Sequence, residues 1–222
     1  RGCTNSRCSF FHQCPFFRAR NDLDKSDVIV ANHDLLLSDL ALGGGAILSP
    51  PESSIYVIDE AHHLSEKTRT HFTLSAGVNG TVQWVDTVNS ALGTMTQQLS
   101  RPDELVRLAA SIGADSQLIQ VCFEEVGVFL ETLDFDLKEE AKSIHRFRHG
   151  EIPRDLVKPL GKVLPNVLSL SNVIGNIYDL LQDAVNGDLE SIKPADAGTW
   201  LGPVGALHAR SLSLAALIQD YV

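Results

Sequence analysis

The sequence has no continuous apolar run approaching the roughly 20 residues that a membrane-spanning helix requires. It also has no basic-then-apolar leader at its N-terminus, so secretion is not indicated. We therefore expect no membrane association and a cytoplasmic location. Positive charge is scarce too, because 18 lysine and arginine residues stand against 28 acidic ones, for a net charge of −10. This balance argues against a protein that coats nucleic acid with its whole surface, although it leaves room for a local basic track.

A phosphate-binding loop of the GxxxxGK[ST] type is absent from the sequence. The triple glycine at residues 43–45 is followed by Ala46, Ile47 and Leu48, with no lysine and no hydroxyl residue in the required places. It therefore cannot cradle phosphates as such a loop does. The chain alone is predicted not to be a complete P-loop ATPase.

Cysteine is rare, and its distribution is informative. Cys3, Cys8 and Cys14 fall within the first fourteen residues, whereas Cys122 stands alone. A tight cluster in a cytosolic chain indicates a metal site rather than a disulfide framework. Three thiolates at short, unequal spacings suit a loop around a [4Fe–4S] cluster, and zinc is the alternative, with His12 completing a Cys₃His site. Cys122 lies on the apolar face of a predicted helix and is expected to be a buried free thiol.

Two short apolar runs, residues 27–31 (DVIVA) and 55–58 (IYVI), have the pattern of buried parallel strands. The second run leads directly into the tetrapeptide DEAH. An apolar strand that ends in two carboxylates is the Walker B arrangement. In it, Asp59 would hold Mg²⁺, usually through water, and Glu60 would orient or deprotonate the attacking water. His62 would couple the nucleotide site to neighbouring motifs, and the alternative is an ordinary acidic turn after a strand.

Beyond about residue 80, prolines and glycines separate long segments with helical periodicity. We predict helices near residues 82–99, 102–112, 115–147, 154–163, 166–186 and 199–221. The sequence thus predicts an α/β part followed by an all-α domain, and a mostly α chain overall. The densest positive stretch of the helical domain, residues 138–162, contains Arg146, Arg148 and Arg154. These arginines are candidates for contacts with nucleic-acid phosphates, and a solvated helix end is the alternative.

Three features in order resemble the DinG- and YoaA-type DNA helicases of bacteria, relatives of the XPD-type iron–sulfur helicases. They are the spacing Cys3-x4-Cys8-x5-Cys14, the segment DVIVANHDLLLSDL and the segment IYVIDEAHHL, which together cover about residues 2–66. The resemblance implies a RecA-like motor domain interrupted by an iron–sulfur insertion and then by a helical insertion called the Arch. The implied domains are the end of the Fe–S region (1–22), part of motor domain 1 (23–78) and an Arch-like domain (79–222).

The resemblance also implies a function and cofactors. Cys3, Cys8 and Cys14 match the last three of four ligands to a [4Fe–4S] cluster, and the first ligand would lie upstream. The family unwinds DNA 5′→3′ with ATP and Mg²⁺, in DNA repair and the response to replication stress in the bacterial cytoplasm. Single-stranded DNA and forked or structured DNA are the implied partners.

The chain is accordingly expected to be an internal fragment, inactive alone because the Walker A loop and the second motor domain are absent. Two alternatives remain open on the sequence. One is a non-enzymatic zinc- or cluster-binding module that binds a protein partner, and the other is a helical scaffold in which DEAH is accidental.

Overall fold

The computed structural model describes residues 10–100, 102–133, 145–189 and 191–222. The chain divides into two compact units, Arg1–Thr73 and Leu74–Val222. Short helices and irregular segments make up the described part of the first unit, whereas long packed helices make up that of the second.

The first unit contains three helices in its described part: α1 (Pro15–Asn21), α2 (His33–Ala41) and α3 (Leu64–Phe72). A 3₁₀ turn at Phe11–Gln13 precedes α1, and further 3₁₀ turns lie between the helices at Leu23–Lys25, Pro51–Ser53 and Ala61–His63. Helix α2 begins after Asn32, whose side-chain oxygen accepts a hydrogen bond from the backbone N–H of Leu35 at 2.8 Å. This N-cap satisfies one of the free N–H groups of the first turn and fixes where the helix starts.

No strand forms in the part of the chain that the structure describes, so the predicted α/β motor fold with parallel strands is wrong for these residues. Segments 27–31 and 55–58 are irregular, and Val30 and Ile55 are each 95% exposed. The physical reason is that a strand requires a hydrogen-bonded neighbour, and a parallel strand also requires cover on both faces. The apolar pattern of the sequence shows which side chains could be buried in a sheet, but it does not show whether a neighbouring strand is present.

The second unit contains five helices in its described part: α4 (Val78–Gln98), α5 (Asp103–Ser111), α6 (Gly113–Glu131), α7 (Arg154–Asn186) and α8 (Pro194–Tyr221). A 3₁₀ turn at Arg148–Gly150 precedes α7. The helical character predicted beyond residue 80 is therefore confirmed. The predicted helix 115–147 is wrong at its end, because α6 stops at Glu131 and residues 145–147 are irregular. Residues 134–144 lie outside the described part.

Helix α7 joins two segments that the sequence predicted as separate helices, and it runs through Pro159 and Pro165. Each proline removes a backbone N–H donor and costs about 3 kcal/mol or more inside a helix. Fully burying one aliphatic side chain contributes about 1.5–3 kcal/mol, so a long buried face offsets this cost. That face recurs every three or four residues, at Leu156, Leu160, Val163, Val167, Leu170, Ile174, Ile177, Leu181 and Ala184.

Helix α8 is long and apolar enough to cross a membrane by length and composition alone, with a mean hydropathy of 1.3 over its most apolar window. The core helix of a soluble protein has the same properties. Helix α8 packs along α7, where Val204 and Ile218 are buried and Ser211 Oγ donates to Ser171 Oγ at 3.0 Å. Part of the apolar surface of α8 is therefore buried against α7 within the helical unit.

Candidate functional site

Residues 59–63, the DEAH turn, form an exposed turn that leads into α3. Asp59 Oδ1 accepts a hydrogen bond from the backbone N–H of Glu60 at 2.9 Å. Glu60 adopts a left-handed conformation, with φ 50° and ψ 40°, and its carbonyl accepts from the backbone N–H of His63 at 2.9 Å. This conformation is uncommon outside glycine and costs on the order of 1–3 kcal/mol. The two predicted catalytic carboxylates are therefore held on a strained turn.

The side chains of the DEAH turn contact one another. Glu60 Oε2 lies 3.3 Å from His62 Nδ1, and both side chains are about two-thirds exposed. The rings of His62 and His63 lie close together, with their centroids 4.0 Å apart. The structure thus brings predicted residues Glu60 and His62 together and adds His63, which the sequence prediction did not select.

The start of α2 contacts the DEAH turn and α3. His33 Nε2 lies 3.1 Å from the backbone carbonyl oxygen of Asp59, so this nitrogen carries the proton and donates. Lys67 Nζ, on α3, donates to both carboxylate oxygens of Asp34, at 2.9 and 3.0 Å. The residues Asn32-His33-Asp34 are called the bracket below. Asn32 caps α2, His33 holds the DEAH turn, and Asp34 holds α3 through Lys67.

Two open cavities flank the turn within the first unit. One, of about 610 Å³, lies along α3 and is lined by His63, Lys67 and Asp34 among others. The other, of about 670 Å³, lies between residues 26–33 and 53–59, and Asp59 is at its edge. Asp59 and His63 of the DEAH turn therefore each line a space that solutes can enter.

Asp39 organises the glycine-rich loop that follows α2, a role that the sequence prediction missed. The residue has no exposed surface. Its carboxylate accepts hydrogen bonds from the backbone N–H groups of Ile47, of Gly45 at 2.9 Å and of Leu48 at 3.2 Å. The bond from Ile47 is the largest cause that lowers the pKa of Asp39, against the opposing effect of burial. The N–H groups of the loop therefore donate to the carboxylate of Asp39, which occupies the place that a bound anion would take.

Of the predicted cluster ligands, the structure describes Cys14, while Cys3 and Cys8 lie outside the described residues. Cys14 is half-buried, forms no disulfide and immediately precedes α1. Beside it the rings of Phe11 and Phe17 pack with centroids 4.4 Å apart. An unpaired, partly accessible thiol is suitable as a metal ligand, and the cluster itself stays a prediction.

Cys122 is buried and free, as predicted. Its Sγ donates to the carbonyl oxygen of Pro159 at 3.3 Å. Burial, and secondarily the charge of Glu125, raises the pKa of the Cys122 thiol to about 11. A protonated, enclosed thiol is a poor metal ligand, so Cys122 acts in packing.

The predicted nucleic-acid residues Arg146, Arg148 and Arg154 are all exposed. Arg148 begins the 3₁₀ turn Arg148–Gly150, in which His149 has a positive φ of 57°. Arg146 lies two residues before this turn, and Arg154 begins α7. The basic residues of the same stretch at 138 and 142 lie outside the described part. The structure places the three arginines on one short surface segment, and their contact with nucleic acid stays a prediction.

Comparison with known proteins first defines the class: residues 5–77 match the DEAD_2 family model. The chain is also 34% identical over 170 residues to the ATP-dependent DNA helicase DinG of Photobacterium profundum, an alignment that covers 77% of this chain and 24% of that protein. It is 29% identical over 160 residues to DinG of Shigella flexneri and 28% identical over 160 residues to DinG of Escherichia coli K12, in each case 70% of this chain and 22% of the relative.

The predicted resemblance to the DinG-type helicases is thereby confirmed. The chain spans about a quarter of the length of the curated relatives that it matches. The first alignment is longer than the 73 residues of the first unit, so the similarity extends into the helical unit. The DEAH turn, the bracket at the start of α2 and the loop around Asp39 all lie inside the DEAD_2 match.

Proposed function

We propose that this chain is part of an ATP-dependent DNA helicase of the DinG type and that the DEAH turn is its ATP-hydrolysis element. The observation that carries the proposal is the strained turn that holds Asp59 and Glu60 next to one another inside the DEAD_2 match. The relatives named ATP-dependent DNA helicase DinG supply the reaction.

Each residue of the turn has a separate task in this proposal. Asp59 offers carboxylate oxygens, the ligands that Mg²⁺ prefers, and Mg²⁺ supplies charge neutralisation at the phosphates. Glu60 orients the attacking water and accepts its proton. His62 Nδ1, 3.3 Å from Glu60 Oε2, restrains that carboxylate. Placing a catalytic group correctly accounts for a large part of the rate in phosphoryl transfer.

The chain alone is proposed to be inactive. Its 222 residues contain no GxxxxGK[ST] loop, and the triple glycine is committed to Asp39 through the N–H of Gly45. Without a loop that grips the β- and γ-phosphates, Asp59 alone would bind Mg²⁺–ATP weakly. DNA-stimulated ATP hydrolysis by the purified chain, lost in Glu60→Gln, would contradict this part of the proposal.

Cys3, Cys8 and Cys14 are proposed to bind a [4Fe–4S] cluster in the full-length protein, together with a fourth ligand outside this chain. The half-buried, unpaired Cys14 supports this assignment. Anaerobic purification of the full-length protein should give iron and sulfide that are lost in Cys8→Ser. Stoichiometric zinc in place of iron would support the Cys₃His alternative with His12.

The proposed partners are single-stranded DNA and forked or structured DNA, and the proposed setting is DNA repair in the bacterial cytoplasm. Polarity gives the sharpest test of the helicase assignment. The full-length protein should unwind a duplex with a 5′ single-stranded tail and leave the matched 3′-tailed duplex intact. The helicase assignment would be contradicted if the protein unwound both duplexes equally, or if it unwound neither duplex in the presence of ATP and Mg²⁺.

A further inference from the structure

We propose that the DEAH turn is also a transition-metal site, in which Glu60, His62 and His63 bind Zn²⁺ or a chemically similar divalent ion. One carboxylate oxygen and two imidazole nitrogens of these residues all lie within 4.8 Å of one another. All three residues are exposed, so an ion reaches them without any opening of the fold.

The distances fit tetrahedral coordination. Zinc binds imidazole nitrogen at about 2.0–2.1 Å and carboxylate oxygen at about 2.0–2.2 Å, which separates two ligand atoms by roughly 3.4 Å. Glu60 Oε2 and His62 Nδ1 are already 3.3 Å apart. The His63 nitrogen lies within 4.8 Å of the other two ligand atoms, so it needs a shift of at most about 1.4 Å to reach the ligand spacing of zinc, which an exposed side chain makes by rotation. Two histidines and one glutamate leave the fourth position to water.

Ligand chemistry separates this site from the proposed Mg²⁺ site. Imidazole suits zinc, nickel and copper, whereas carboxylates and water suit magnesium. Asp59 belongs to the magnesium function and is not part of this cluster. The Glu60 carboxylate already approaches His62 Nδ1 at 3.3 Å, and a cation bound between these two groups would be held by both.

Metal binding at this site would inhibit ATP hydrolysis. A zinc ion that takes a lone pair of Glu60 leaves that carboxylate unable to accept the proton of the attacking water, and a chelator would restore it. This consequence rests on the proposed function, whereas the binding of the metal rests on the geometry of the turn alone.

The test uses the whole 222-residue chain with Cys3, Cys8 and Cys14 replaced by serine, which removes the competing thiolates. Titration of ZnCl₂ into this chain, followed by calorimetry, should give one ion per chain. His63→Ala should weaken binding at least about tenfold, since loss of even an outer-shell partner of a metal costs about 10- to 100-fold in affinity. His71→Ala, an exposed histidine of α3 outside the cluster, is the matched control and should leave binding unchanged.

Two results would overturn the metal site: no zinc binding by the serine variant, or equal binding when His62 and His63 are replaced singly by alanine. Circular dichroism that matches the parent chain shows that each variant is folded. The outcome is independent of the hydrolysis proposal. If Glu60→Gln abolishes ATP hydrolysis in the full-length protein while the chain binds no zinc, the proposed function stands and the metal site falls.

Discussion

His33 Nε2 donates a hydrogen bond to the backbone carbonyl oxygen of Asp59 at 3.1 Å, which joins the first residue of α2 to the DEAH turn. The next residue, Asp34, is joined to α3 through Lys67. The position of the acidic pair therefore depends on a short segment that lies 26 residues earlier in the chain.

Replacing His33 should slow hydrolysis without preventing nucleotide binding. The change removes one hydrogen bond, whose net value is about 1 kcal/mol, so His33→Ala in the full-length protein should lower kcat for DNA-stimulated ATP hydrolysis about fivefold. KM for ATP should change less than kcat, because His33 positions the turn. His71→Ala is the control. An unchanged kcat would show that the contact with Asp59 does not position the site.

Asp39→Asn should loosen the loop at residues 43–49. The amide cannot accept all of the N–H groups that the carboxylate accepts, and its own N–H₂ opposes them. Hydrogen exchange at Gly45, Ile47 and Leu48 should accelerate, whereas Asp27→Asn, at an exposed aspartate, should leave it unchanged. Equal protection of these amides in both variants would contradict the role of Asp39.

The contribution of Asp39 to stability should also depend on pH. Because the pKa of Asp39 is lowered, the stability from its ionised form is present above the ordinary pKa of 3.8 and is lost as pH falls below it.

Cys122 should resist alkylation in the native chain. A pKa of about 11, against an ordinary 9.0, leaves about 100-fold less thiolate at pH 8, and the side chain is also enclosed. A brief iodoacetamide pulse followed by peptide mapping should label Cys14 and spare Cys122. The same pulse in denaturant should label both. Labelling of Cys122 at the rate of Cys14 in the native chain would show that the helical unit does not enclose this thiol.

Salt dependence tests the arginines near the start of α7. If Arg146, Arg148 and Arg154 contact phosphates, replacing all three with alanine in the full-length protein should weaken single-strand binding. The slope of log affinity against log salt should decrease by roughly 0.7 for each lost contact, about 2 in total. A control variant, Arg107→Ala with Lys193→Ala, removes two exposed positive charges elsewhere in the helical unit and should leave the slope unchanged. An unchanged slope in the triple variant would show that these arginines do not contact DNA phosphates.

Local patterns predicted the helices well and the sheet badly. Helical periodicity predicted helices at 154–163 and 166–186, but α7 is continuous through Pro165, which lies in the predicted gap, because its buried face offsets the cost of the proline. The valines of DVIVA gave a strand prediction because periodicity does not report whether a neighbouring strand is present.

The candidate site was predictable only in part. The spacing of DEAH indicated Asp59, Glu60 and His62, because a motif fixes residue types along the chain. His33 and Asp39 were missed, since each acts through backbone groups brought close by folding. An aspartate just before a glycine-rich loop was the signal available in the sequence for Asp39, because such loops expose several N–H donors.

The central claim is that Glu60 activates the water that attacks ATP, and Glu60→Gln in the full-length protein tests it most directly. DNA-stimulated hydrolysis should fall at least about 100-fold, the lower range of what a general base contributes. Binding of ATP, measured in parallel, should stay within about twofold, because glutamine keeps the shape of the side chain. Glu66 is an exposed glutamate of α3, and the control variant Glu66→Gln should hydrolyse ATP at the normal rate. Hydrolysis by Glu60→Gln at the unmodified rate, with normal ATP binding, would contradict the account.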